Sequence, residues 1–432
     1  MRKSLAILSA LVMLIGIANV TFATQARVNS LGKAWMYDGD FEDIYFYPNV
    51  MASYPRMIVA ELGDDPAFVQ YYGSAAITFA NEEQTWGVAG LDINHAITGE
   101  EYFKQYITNL NFVLGPDPVL GIDVLPHIDN KYHLFYARNV GGLTAGLHIA
   151  RAAAARTYTS TDTVAGSAEY EMENSAGIWD FNFGLGYSPA ENMEANLGFS
   201  FKTYSFSAEI IESFPGATPA ITSNSSKIES DGGSGIDVAL QVMYGMSDNF
   251  KLVPTAGISM GSIGYKTSSS DTSIHPEGGE MSTFDFGAGF GANYTPIENV
   301  RILGGLDFEY STTSVKDTAF FGNPNDVEYK TATFMFPGFS AAVEADLLKW
   351  LTLRVGASKD IAKTTVTNTD EDAETESSYT SAGYNFNFGL GFKFNKLCID
   401  VKVNDAQPFD LGYLMSGNPN TPFTQVSATY KF

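Results

Sequence analysis

Five histidines, one cysteine and a run of carboxylates are the side chains of this 432-residue chain with the most chemistry to offer. His95, His127, His133, His148 and His275 show no paired ligand spacing, and no Cys-x-x-Cys accompanies them. The pattern therefore predicts no metal centre and no cofactor. Asp370, Glu371, Asp372, Glu374 and Glu376 lie close together but lack the Asp-x-Asp-x-Asp-Gly spacing of a calcium loop, and read as a solvated acidic loop. A hydrolase would need a serine, a histidine and a carboxylate or amide to converge. No such set is recognisable, so no catalytic residue is nominated and the chain reads as a non-enzyme. Cys398 is the single cysteine, which excludes an intramolecular disulfide.

The elements that must carry these residues announce themselves by alternation. Trp179, Phe181, Phe183, Leu185 and Tyr187 share one face, and Asp180, Asn182, Gly184 and Gly186 the other. The run Tyr384 to Phe394 repeats this, with Phe386, Phe388, Leu390, Phe392 and Phe394 against Asn385, Asn387, Gly389, Gly391 and Lys393. A third copy sets Phe284, Phe286, Ala288, Phe290 and Tyr294 against Asp285, Gly287, Gly289, Gly291 and Asn293. A soluble sandwich also alternates, so three further features decide the reading. The runs reach ten residues and more, where a soluble strand has about five or six and a tilted membrane strand about 9 to 11. Their apolar faces are aromatic, which suits the two bilayer interfaces. Their connections alternate short and long, as in a barrel inserted from one side.

Short links fall at Pro189 to Asn192, Ser247 to Asn249, Pro296 to Asn299, Leu347 to Lys349 and around Asn395. Long polar stretches fall at Glu212 to Gly232, Ser268 to Glu280, Asp317 to Tyr329, Thr365 to Ser378 and Ala406 to Thr421. Counting back from Phe432 gives sixteen strands, with fourteen as the alternative, the first at Met57 to Leu62. The expected fold is all-β: a transmembrane antiparallel up-and-down barrel over residues 57–432. Its parity turns His148, Lys202, Asp285, Arg301, Asp307, Glu309, Arg354, Lys393 and Asp400 toward the lumen, where charges of both signs predict ion-pair networks. Lys402 and Lys431 share that parity.

Arg2, Lys3 and the apolar stretch Leu5 to Val20 read as a signal peptide over residues 1–23, cut after Ala23, with Ala26 as the fallback. Beyond it no stretch approaches the roughly 20 apolar residues of a spanning helix. A formal charge of −24 without a basic patch excludes nucleic acid as a partner. The chain ends Val426, Ala428, Tyr430 and Phe432 on one face, similar to the terminal strand through which outer-membrane barrels meet the assembly machinery. Tyr430 and Phe432 are the expected assembly signal.

Residues 24–56 lack sustained alternation and carry Asp38, Asp40, Glu42 and Asp43 before an aromatic cluster. A barrel of this size needs filling or leaves a water channel, so this segment is expected to fold into the lumen as a hatch or plug. Ala26-Arg27-Val28-Asn29-Ser30-Leu31-Gly32, the acidic tract, and Tyr45-Phe46-Tyr47-Pro48-Asn49-Val50-Met51-Ala52 together resemble the FadL-type outer-membrane transporters for hydrophobic compounds and the related secretion-associated barrels. Members usually show Asn-Pro-Ala where this chain reads Tyr47-Pro48-Asn49. The resemblance implies passage of a hydrophobic small molecule through a hatch-gated lumen, with exit by a lateral opening and Tyr45, Phe46, Tyr47, Pro48 and Asn49 in the hatch.

The sequence thus predicts a bacterial outer-membrane channel or transporter for small, hydrophobic solutes, in contact with outer-membrane lipid and lipopolysaccharide. A general diffusion porin, or a scaffold barrel binding protein partners, are the alternatives. No residue pattern fixes an oligomeric state.

Overall fold

Residues 24–32, 40–65, 70–81, 83–97, 103, 126, 128, 130–161, 169–214, 221–269, 278–317, 327–370, 373–403 and 423–432 are described by a computed structural model. The signal-peptide reading of 1–23 lies outside them, as do Asp38, His127, His275, Glu371, Asp372 and the stretch Ala406 to Thr421.

Sixteen strands form one closed antiparallel ring in which each strand pairs with its sequence neighbours. They are β1 (Met57–Asp65), β2 (Gln70–Phe79), β3 (Val88–Ile93), β4 (Asn130–Val140), β5 (Leu143–Thr161), β6 (Glu169–Ala190), β7 (Met193–Phe214) and β8 (Ile221–Ser247). The ring continues through β9 (Phe250–Ser269), β10 (Gly278–Ile297), β11 (Val300–Asp317), β12 (Val327–Leu348), β13 (Leu351–Asp370), β14 (Ala373–Phe394), β15 (Leu397–Val403) and β16 (Phe423–Lys431). It closes where β1 meets β16, with Met57 opposite Lys431 and Leu62 opposite Val426. Closure leaves no row of unpaired amides facing lipid, where each orphan group would cost several kcal/mol by order of magnitude.

The alternation sorts the side chains opposite to a soluble sheet. Phe181 and Phe183 are 43% and 46% exposed, whereas Asp180 and Asn182 between them are 0% and 3% exposed. Phe199, Phe290, Phe334 and Phe339 continue the outward band. An apolar belt outside and polar groups inside make this a transmembrane barrel.

One rim carries tight turns. Val140 connects to Leu143 through Gly141 and Gly142 at φ 59° and 90°, a left-handed pair that glycine adopts without Cβ strain. The opposite ends depart from expectation. β8 begins at Ile221 inside the expected loop Glu212 to Gly232, and β13 and β14 run through most of Thr365 to Ser378. The described members of the acidic run therefore lie on strands rather than in a loop, Asp370 at the end of β13 and Glu374 and Glu376 exposed on β14. Pairing continues there because Thr-rich and Ser-rich strands keep their ladder in water even where neither face is apolar. The ring is also uneven: β6 to β14 have 18 or more residues each, while β3 has six.

Two bodies of side chains fill the interior. Residues 24–32 and 40–56 occupy the half nearest the tight turns, with the helix α1 (Gln25–Leu31) against β12 to β16 and two 3-10 turns, Phe41–Tyr45 and Pro48–Ser53, beside it. In the other half Ile97, Phe103 and Ile128, from between β3 and β4, cluster with Ile178, Tyr204, Phe206, Ile263 and Met281. This second filling had no counterpart among the expectations.

Candidate functional site

The N-terminal segment meets the wall through polar anchors. Thr24 caps α1 by accepting from the Arg27 amide at 3.4 Å, and its hydroxyl donates to Asp400 at 3.1 Å. The Arg27 guanidinium donates to both oxygens of Glu344, at 2.8 and 3.1 Å, and also pairs with Asp40. Arg354 donates to Glu344 at 2.7 Å and to Asp400 at 2.7 Å. Register explains the meeting, since Glu344 on β12 lies opposite Arg354 on β13. Burial opposes the charge on Arg27, but Glu344 and Asp40 outweigh it and hold the guanidinium firmly protonated. Nearer the seam, the Gln25 amide donates to Glu61 at 2.7 Å and the Ala26 amide to Ser427 at 3.2 Å.

Glycines mark where the segment presses on the wall. A Cβ on Gly198 would fall 2.0 Å from the Phe46 carbonyl oxygen, and one on Gly146 would fall 2.1 Å from the Asn49 amide nitrogen. Gly356 and Gly389 receive α1 in the same way, at Leu31 and Ser30. Asn49 donates to Asn196 at 2.6 Å, and Asn182 donates to the Tyr45 carbonyl at 2.7 Å. Tyr45, Tyr47, Pro48 and Asn49 are buried, while Phe46 remains exposed to the lumen space beside it.

The histidines are not isolated. His95, His133 and His148 converge behind Tyr45, whose ring stacks on His95 at 3.8 Å between centroids. His133 Nε2 faces the His95 carbonyl at 3.0 Å and its Nδ1 faces His148 Nε2 at 2.9 Å. A carbonyl only accepts, so a neutral His133 donates from Nε2 and accepts at Nδ1 from His148. Tyr45 donates to Asp92 at 2.5 Å, and His95 Nε2 lies 3.4 Å from Glu42. Burial pushes the His95 imidazole down, but Glu42 and then Asp92 pull it up to about 9. Burial and the facing Asp92 raise the Tyr45 phenol well above its usual range, which keeps it a hydrogen-bond donor. Sequence spacing missed this cluster because its members sit on β3, β4, β5 and the N-terminal segment, and only pairing brings them together.

Glu42, Glu61 and His95 each offer one ligand atom, all within 4.8 Å of one another. Among the described residues this is the group with metal-binding potential, and the expectation of no metal centre did not anticipate it.

Beside the N-terminal segment lies a chamber of about 460 Å³. Tyr45, Phe46 and Tyr47 form its floor, and β7 to β11 form its side with Asp237, Asp285, Asp307 and Glu309. Lys202 pairs with Asp237 at its edge. Of the other residues expected to face the lumen, His148, Arg354 and Asp400 are buried in the interior, Lys393 donates to Asp346 at 2.7 Å, and Arg301 lies opposite Glu344 in the ladder. At the seam, Tyr430 is an outward, exposed residue of β16, and the Phe432 amide donates to the Arg56 carbonyl at 3.1 Å.

No family model and no curated protein matches the chain. Among solved structures, the toluene transporter TodX of Pseudomonas putida is similar at 11% identity, over 95% of this chain and 99% of that one, with a TM-score of 0.39. The toluene transporter TbuX of Ralstonia pickettii is similar at 10% identity, over 95% and 98%, with a TM-score of 0.38. The ferric yersiniabactin uptake receptor FyuA of Yersinia pestis is similar at 9% identity, over 88% and 80%, with a TM-score of 0.36. With likeness this slight, the architecture rests on the closed ladder and the outward aromatic belt, not on these neighbours.

Proposed function

We propose that this barrel is a gated passage of the bacterial outer membrane for small solutes with an apolar body, in which residues 24–56 act as the hatch, and that it is not an enzyme. The observation that supports this best is the chamber of about 460 Å³ that Tyr45, Phe46 and Tyr47 of the N-terminal segment bound on one side. A lumen occupied by such a segment suits capture and release of one molecule better than free diffusion, which speaks against the general porin. Aromatic rings on the floor favour an apolar body, and four carboxylates on the side disfavour an anionic head. A lateral exit toward lipid would fall at β3, whose six residues are fewer than the roughly 9 to 11 of a spanning strand. Tyr430 and Phe432 would present the barrel to the assembly machinery.

Planar-bilayer recording tests the proposal. The full chain should pass only small, intermittent currents, and a variant lacking residues 24–56 should pass large steady ones. Large steady currents from the full chain would sink the hatch.

A further inference from the structure

We propose that Glu42, Glu61 and His95 form a binding site for a divalent cation of the zinc class, which ties the N-terminal segment to the barrel wall. This rests on the seating of residues 40–56 in the lumen described above.

The three residues come from three places: Glu42 from a 3-10 turn of the segment, Glu61 from β1, and His95 from just beyond β3. Their ligand atoms lie within 4.8 Å of one another, so moves of about an ångström would bring them to the roughly 2.0–2.2 Å that zinc takes from imidazole and carboxylate. Glu42 is only half-buried and is the member free to make that move.

A second observation points to a missing ligand. Glu61 is 5% exposed, and while its Oε1 accepts from Gln25 and Ser427, its Oε2 has no hydrogen-bond partner. Asp92 is 1% exposed, and its Oδ1 is likewise unpartnered while Oδ2 accepts from Tyr45. Buried carboxylate oxygens left in this way are costly unless a cation satisfies them. A protonated His95 would bring one positive charge to three carboxylates, whereas a bound dication brings two.

The histidine is already oriented for the task. Its Nε2 faces Glu42 at 3.4 Å, its Nδ1 faces Asp92 at 4.0 Å, and the Tyr45 ring fixes its plane. A carboxylate on the side of the far nitrogen is the usual way proteins aim a zinc-ligating imidazole, and Asp92 stands on that side, just beyond hydrogen-bond distance. One nitrogen among oxygens also selects against calcium and magnesium, which take oxygen ligands.

The test uses the full chain, purified in detergent, stripped with a chelator and titrated with zinc chloride by calorimetry. One zinc per chain is expected, no heat with calcium chloride, and at least about tenfold weaker binding in E42Q, E61Q and H95N. Heat-modifiable gel mobility checks that each barrel is folded, and E42Q, which lies outside the strands, keeps the test decisive if the others misfold. Absence of saturable zinc binding, or unchanged binding in E42Q, overturns the site. In parallel, N49C and N196C in a C398A background are treated with a short thiol cross-linker. Cross-linking without zinc binding rejects the site and leaves the segment seated, while failure to cross-link rejects both.

Discussion

Arg354 is 1% exposed and serves Glu344 and Asp400 at once, so its removal leaves Asp400 buried without its cation and Glu344 with Arg27 alone. R354A should therefore cost about 3–5 kcal/mol, read by urea unfolding in lipid vesicles. A loss below about 1 kcal/mol would show that water reaches the network. Gly198 has the opposite problem, having no room to grow. In G198V the new side chain collides with the Phe46 carbonyl, and the segment rather than the wall should give way, because the wall is held by ladders on both sides. Bilayer currents in G198V should then approach those of the variant without residues 24–56, with gel mobility of the folded barrel unchanged. Parity in the sequence turned Arg354 and Asp400 inward, but Arg27 entered only as part of the opening motif and Glu344 went unremarked. Which inward charges meet is decided by register and by a segment without a period of its own, and neither is written in local spacing. In the alternating runs glycine figures only as a small residue opposite the aromatics, whereas at Gly146, Gly198 and Gly356 it is the space into which another part of the chain fits.

At the level of the strand, alternation and the spacing of the links led to the count of sixteen that the ring shows, with fourteen as the alternative, and to the tight-turn rim. It failed at the far ends. β13 beyond Lys363 reads Thr364, Thr365, Val366, Thr367, Asn368 and Thr369, a stretch polar on both faces, so the periodic signal fades while the hydrogen bonds continue into β14. Where the belt is intact, the outward face must stay apolar. F183R should destabilise the barrel by about 2–4 kcal/mol, and Y187R, nearer the turn rim, by less, if Phe183 sits toward the middle of the bilayer. Equal penalties in vesicle unfolding would mean that the lipid boundary does not run where the aromatics place it.

For the molecule as a whole, the composition charge of −24 acquires a location. Part of it lines the chamber as Asp237, Asp285, Asp307 and Glu309. The variant without residues 24–56 should therefore favour potassium over chloride in reversal-potential measurements at low salt, and D285N with E309Q should weaken that preference. An anion preference would contradict the field expected of these walls. A different consequence follows from α1. Its first residues bond to Glu61 on β1 and Ser427 on β16, the earliest and latest strands of the chain, and Arg27 reaches β12. The seat of α1 is therefore complete only when the last strand has paired with the first. Sealing the cylinder and completing the seat of its contents are thereby coupled, since the two end strands share the same small helix.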